Sequence, residues 1–366
     1  MRRDRQDGRE GTTFQPAILP LLPFLPCKML HKYSRFVAAC TVLLILAGSF
    51  VTSTDSGLSV PDWPTTYGQN MFTFPYSKMV GGIFYEHGHR LVASTVGFLT
   101  IGLAAWLWLA DPRRWMRWFG VAALGAIVAQ GVLGGLTVLF FLPPAVSTAH
   151  AGLAEIFFCI TVAIAIFTSP GWLAGYPSAG TARAGDVGAD DATLRRLATA
   201  TTVAIFTQIL IGATMRHTGA GLAIPDFPWM FGHVMPDHWS AKIAIHFAHR
   251  VGALVVTLAI VATSVYIWRR HTDRMELARP ATLILFLVGA QVMLGAFTVL
   301  SKRDVWINSL HVVCGALVLT TSLVITLRSW RCTFRDVAEC DSRIADRSTI
   351  PVRNPRSAIR NLEGRA

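Results

Sequence analysis

Four histidines, His89, His150, His249 and His311, stand a few residues inside apolar stretches long enough to cross a bilayer. The first pair is separated by 61 residues and the second by 62. A neutral imidazole offers one ring nitrogen to a metal while the other donates to a backbone or water acceptor. Two imidazoles facing each other across a gap can therefore clamp a planar iron porphyrin from both sides. A lone histidine in an apolar helix more often completes a core or bonds to a neighbouring helix. Four at matched positions, in a medium where polar side chains are costly, favour the ligand role.

The matching extends to the surrounding text. Ala129 to Leu139 (AQGVLGGLTVL) and Ala290 to Leu300 (AQVMLGAFTVL) agree at 7 of 11 positions, with Gln130 and Gln291 in register. GLSVPDWP (Gly57 to Pro64) is echoed by GLAIPDFP (Gly221 to Pro228), and each precedes a histidine-bearing segment, EHGHR at Glu86 to Arg90 and HFAHR at His246 to Arg250. An internal duplication follows. Each copy holds four crossings, so the second enters the membrane from the same side as the first and the repeats are parallel. Every candidate ligand lies on an even-numbered crossing, four to six residues from its start, which puts all four rings at one depth, about 6 to 9 Å below the hydrocarbon surface.

The two copies differ where Glu86 stands opposite His246, three residues before the ligand and on the same helix face. A carboxylate there can accept a proton or stabilise developing charge at a porphyrin edge; a carboxylate favoured by the helix dipole fits as well. Arg90 and Arg250 directly follow ligand histidines and either pair with anionic heme propionates or snorkel to headgroups. Glu155, a second intramembrane carboxylate, serves a proton relay or an interhelical hydrogen bond. Asp62 and Asp226 are expected to form turns, with Trp63 and Phe227 as an interfacial or heme-covering lid. His87, His217, His233 and His238 are expected at the surface.

Composition fits this setting. Hydrophobic residues make up 52% of the chain and charged residues 15%, with a mean hydropathy of +0.47. Eight apolar runs between Phe36 and Leu327 have spanning length. The net charge of +12 does not indicate nucleic acid, because most of the Lys and Arg residues fall in the N-terminal arm, alternate loops and the C-terminal tail, which places both termini in the cytoplasm. The arginine clusters in those loops are positioned to meet lipid headgroups. The expected fold is an all-α integral membrane protein of eight transmembrane helices in two tandem four-helix bundles. Residues 1–35 form a cytoplasmic arm, 36–168 the first bundle, 169–194 a cytoplasmic linker, 195–328 the second bundle and 329–366 a disordered tail. Met29, which leads straight into the first span, reads as an alternative start. Six cysteines, in apolar spans or on the reducing side, suggest neither disulfides nor a metal motif.

Taken together, GLSVPDWP, the ExxHR motif at Glu86 to Arg90, AQGVLGGLTVL, the TAH at Thr148 to His150, GLAIPDFP, the pair His249 and Arg250, and the LH at Leu310 and His311 resemble the heme A synthase family over roughly Tyr33 to Leu327. The resemblance implies an inner-membrane oxidoreductase that converts the C8 methyl of heme O to a formyl group. It implies that His89 and His150 hold the substrate heme, that Glu86 is the catalytic carboxylate, and that His249 and His311 ligate a heme b cofactor. The heme sites then face the extracytoplasmic side. Implied partners are heme O synthase, the terminal oxidase assembly machinery, an external electron acceptor or donor, membrane lipid and a second copy in a homo-oligomer. Some members carry cysteine pairs in the outer loops; these loops have none, which removes thiol chemistry there. A diheme cytochrome b that only moves electrons would use the same histidines without needing Glu86. A transporter would show broken helices near the midplane.

Overall fold

The computed structural model describes residues 27–174 and 191–331. The N-terminal arm before residue 27, most of the linker and the tail beyond 331 lie outside the described residues. Regular structure in the rest is helical: α1 (Cys27–Ser53), α2 (Gly82–Ala110), α3 (Arg114–Leu139), α4 (Pro144–Phe167), a short α5 (Pro170–Ala174), α6 (Ala192–His217), α7 (Ala241–Arg270), α8 (Met275–Leu300) and α9 (Val305–Ser329). All but α5 are long and apolar enough to cross a membrane.

The chain divides into two compact units, one holding α1 to α4 and the other α6 to α9. In the first, α2 packs on α1 and α3, α4 packs on α3 and α1, and the ring closes. The second repeats that circuit with α6, α7, α8 and α9. Short turns force sequential helices to run antiparallel, so the N-terminal ends of the two ligand-bearing helices of a unit share one end with its long loop.

These helices carry apolar residues outside as well as inside. Leu43, Phe98 and Phe286 are all more than half exposed, as suits a surface solvated by lipid. The interiors combine large apolar side chains such as Leu103, Phe157 and Leu319 with small and hydroxyl-bearing residues, which let helices already in hydrocarbon approach closely and bond to one another. Thr100 and Thr161 are fully buried and return their hydroxyls to carbonyls of their own helices. Across helices, Thr201 and Thr263 meet at 2.8 Å, Thr202 reaches Ser322 at 2.7 Å, and Ser34 meets Thr168 at 3.0 Å. The helix of α2 begins nine residues ahead of the apolar run expected from Leu91, because Glu86, His87 and Arg90 all find partners in the preceding loop.

At the opposite end of the second unit, Asp191 caps α6 by accepting from the Leu194 amide at 2.9 Å, and also accepts from Tyr266 Oη at 3.0 Å and meets His271 Nε2 at 2.8 Å. Burial raises the Asp191 carboxyl, but the Leu194 amide, His271 and Tyr266 outweigh it and hold it below the usual aspartate value. A depressed carboxyl stabilises the fold above its unfolded value and loses that contribution as pH falls through the folded one. Asp191→Asn keeps a capping oxygen but removes the charge that Tyr266 and His271 meet, so it should lower the melting temperature of the detergent-solubilised protein at neutral pH by an amount corresponding to about 1 kcal/mol, and the gap from wild type should close as the pH is taken below 3.8. A gap that persists unchanged at that pH would contradict this role.

Candidate functional site

All four candidate ligands sit about two turns into their helices, somewhat deeper along the helix than expected from the apolar runs. Each faces a glycine on the preceding helix. A Cβ added at Gly48 would lie 3.0 Å from His89 Cε1, at Gly134 3.1 Å from His150, at Gly212 2.8 Å from His249 and at Gly295 3.0 Å from His311. These glycines act through absence of volume: a side chain at Gly212 would force the imidazole to move, and at the other three it would press against the ring. Each of the four residues is half-buried, yet Nδ1 of His89, His150 and His311 is buried without a hydrogen-bond partner among the described residues. Four rings cradled in glycine notches, with buried ring nitrogens unsatisfied, fit a group that binds between imidazoles.

A glutamine lies one turn before the notch in three of the four cases. Gln130 Nε2 donates to the His150 carbonyl at 3.0 Å and lies 3.5 Å from its Nε2. Gln208 Nε2 donates to the His249 carbonyl at 2.7 Å and lies 2.9 Å from its Nδ1. Gln291 Nε2 comes within 3.4 Å of His311 Nε2. Beside His89 the equivalent residue is Leu44, packed in an apolar cluster with Val96, Ile127 and Phe157.

A second duplicated device ties the long loop to the helix. Glu86, 4% exposed, accepts from the Val60 amide at 2.8 Å and from Arg90 at 2.7 Å. Arg90 spends its other terminal donors on the carbonyls of Asp62, Thr65 and Val60. In the second unit His246, 2% exposed, takes the place of Glu86: its Nδ1 lies 3.2 Å from the Ile224 amide and its Nε2 3.2 Å from Arg250 Nε. Arg250 binds the carbonyls of Trp229, Ile224 and Asp226. Arg90 thus commits four donors to the protein and Arg250 at least three, its carbonyl bonds, so that each keeps an N–H for anything else.

Inside the loops, Asp62 accepts from the amides of Tyr67 at 2.7 Å and Gly68 at 2.8 Å, and from Thr65 Oγ1. Asp226 receives Phe231 and Gly232 in the same way, both at 2.8 Å. Tyr67, Gly68, Phe231 and Gly232 all have positive φ, so each carboxylate closes a left-handed turn, as its residue type suggests. Burial alone raises both carboxyls, but the Gly68 amide at Asp62 and the Gly232 amide at Asp226 lead the donors that hold them low. The Trp63 ring fills the space where Gly135 of α3 lacks a side chain; in the second copy the ring is the smaller Phe227 and the helix residue is Ala296. His87, expected at the surface, is instead 1% exposed, 3.0 Å from Thr66 Oγ1 and with its ring tilted against Phe74 at 5.0 Å between centroids, because α2 starts early enough to carry it under the loop. His233 and His238 are exposed. Glu155 is buried, and its Oε2 has no hydrogen-bond partner among the described residues.

The family description "cytochrome oxidase assembly protein" matches residues 31–323. Among curated relatives, the heme A synthase of Symbiobacterium thermophilum is 29% identical over 78% of this chain and 90% of its own length. That of Shouchella clausii is 30% identical over 75% of this chain and 88% of its own, and that of Halalkalibacterium halodurans 26% over 82% and 97%. The chain belongs to the heme A synthase family. Against that background, the loops at 54–81 and 218–240 contain no cysteine, and among the described residues the free thiols of Cys40, Cys159 and Cys314 lie within helices.

Neither the notch glycines nor Gln208 stands out from the register of Gln130 with Gln291 alone. The signal was present as Gln-x-x-x-Gly at Gln130 to Gly134, Gln208 to Gly212 and Gln291 to Gly295. Gly212→Ala should displace the His249 ring, since it leaves the least space. Low-spin heme absorbance in the purified variant should fall to the level of His249→Ala while the fold, read by circular dichroism, persists. An unchanged low-spin spectrum would contradict the notch.

Proposed function

We propose that the chain is a heme A synthase that oxidises the C8 methyl of heme O through an alcohol to a formyl group. In this reading His89 and His150 hold the substrate iron, and His249 and His311 hold a resident heme. When bound, a heme b in the second unit would supply an electron relay between the substrate and an external electron carrier. The observation that carries the proposal is the pair of matched imidazole couples, each ring in a glycine notch, on two units of which only the first has a carboxylate, Glu86, in the latch. Among the described residues no three His, Cys, Asp or Glu side chains gather to hold a bare ion, and paired imidazoles suit a metal that brings its own equatorial ligands.

The chain's own groups have distinct tasks. Glu86 is held by the Val60 amide and Arg90, and its remaining lone pairs can accept a proton released from the substrate methyl or oppose positive charge developing there. Arg90 and Arg250 fasten the loops over the sites and each offer one N–H to a propionate. Trp63 and Phe227 contribute to the cover that keeps water from the reacting edge. Apolar helix faces accommodate the farnesyl chain of heme O. The arginine-rich ends, including Arg113, Arg114, Arg117, Arg269, Arg270 and Arg274, support a cytoplasmic location for the ends opposite the sites, so the heme sites open toward the extracytoplasmic side of the inner membrane. The substrate comes from heme O synthase and the product goes to terminal oxidase assembly.

Glu86→His separates catalysis from fastening, because His246 shows that a histidine can occupy the latch. Expressed with a source of heme O, the wild-type chain should yield heme A or its alcohol precursor by mass analysis of extracted hemes. The Glu86→His chain should retain bound heme but lose product about a hundredfold or more. Normal product from that variant would contradict the assignment of Glu86.

A further inference from the structure

Three ligand histidines have an amide at their side and the fourth does not. Gln208 and Gln291 flank both ligands of the second unit, whereas in the first unit Gln130 flanks His150 and Leu44 takes the corresponding place beside His89. The glutamines are seated by design of the neighbouring helix: Gln208 Oε1 occupies the space where Gly252 of α7 lacks a side chain, and a Cβ at Gly315 of α9 would come 3.2 Å from Gln291 Nε2. In the first unit Val92 and Ala93 of α2, one turn after His89, pack against the apolar cluster that contains Leu44. That side of His89 therefore offers only van der Waals contact.

An imidazole bound to a metal through one nitrogen can still rotate about χ1 and χ2 unless its backbone, its edge or its other nitrogen is held. An amide bonded to the ligand's own carbonyl and lying against its ring restrains both the helix segment and the ring; a leucine leaves the ring's rotation to packing alone.

We propose that Gln130, Gln208 and Gln291 are positioning residues that clamp three of the four ligands, and that His89, which has Leu44 where the others have a glutamine, is the releasable ligand through which the first unit admits and discharges its tetrapyrrole. The second unit, clamped on both sides, retains its own. This rests on the reading that the four histidines ligate porphyrin iron, and it gives the two units their different roles without reference to Glu86. A substrate must leave after each turnover and a cofactor must not; one clamp fewer provides that difference.

The test uses full-length protein purified with its hemes, reduced, and exposed to carbon monoxide, which binds ferrous porphyrin only where an axial ligand lets go. The optical signals of the two units are assigned by their loss in His150→Ala and His311→Ala. In the wild type, carbon monoxide should bind at the first unit and leave the second low-spin. Leu44→Gln should slow binding at the first unit by roughly three- to tenfold, the leverage of one added hydrogen bond, while Leu44→Met, which keeps the volume but adds no amide, should not. Gln208→Leu, a separate substitution in the other unit, should open the second unit to carbon monoxide, and Gln208→Met, which keeps the length of the side chain but has no amide to donate to the His249 carbonyl, should do the same.

Equal reactivity of both units in the wild type, or a second unit that stays closed in Gln208→Leu, would overturn the clamp proposal while leaving histidine ligation intact. Heme signals unaffected by either histidine substitution would instead remove the ligation reading and the clamp with it.

Discussion

An imidazole can grip a metal inside a bilayer only if two helices approach closely enough to fix its ring, and in this protein that approach is made four times by a glycine opposite a histidine. The notch works in two directions. It removes the side chain that would push the ring away, and it brings the helix backbones near enough for a glutamine one turn earlier to reach the ligand's own carbonyl. Close approach through small residues is also how helices associate when water is not available to drive them together. Packing and histidine placement are thus one constraint, and the long helices, short turns and closely packed interiors of each unit serve it.

Duplication supplied two copies of this device, and the differences between them fall at the same few positions. The latch that ties each loop to its helix keeps the arginine and the backbone acceptors but exchanges Glu86 for His246. The amide beside the ligand is present for His249 and replaced by Leu44 for His89. The aromatic of the loop and the residue beneath it change together, Trp63 with Gly135 and Phe227 with Ala296. Substitutions that preserve the latch geometry while altering its chemistry are what specialisation of one copy requires, because a buried arginine deprived of its partners would be costly.

Much of this was legible in the sequence because membrane proteins write their fold in long apolar runs and because a repeated chain states everything twice. The eight spans, the placement of His89 and His150 in one unit and of His249 and His311 in the other, and the turn-forming roles of Asp62 and Asp226 could all be read from residue type and spacing. What could not be read depended on neighbours distant in sequence. His87 looked like a loop residue because the apolar run begins at Leu91; burial under Thr66 and Phe74 extends the helix past it. Arg90 and Arg250 looked free to meet anionic ligands, yet loop carbonyls take most of their donors. The notch glycines were inconspicuous among 30 glycines, since a glycine's role here lies in what faces it.

The central claim is that each unit holds one porphyrin iron between two histidines, and near-infrared magnetic circular dichroism of the oxidised, purified protein tests it most directly. Bis-imidazole ligation gives a characteristic charge-transfer band, predicted to correspond to two hemes per chain. Alanine at either histidine of one unit should remove half of that band and leave the other half unchanged. A protein that purifies without tetrapyrrole, or a band that survives substitution of all four histidines, would contradict it.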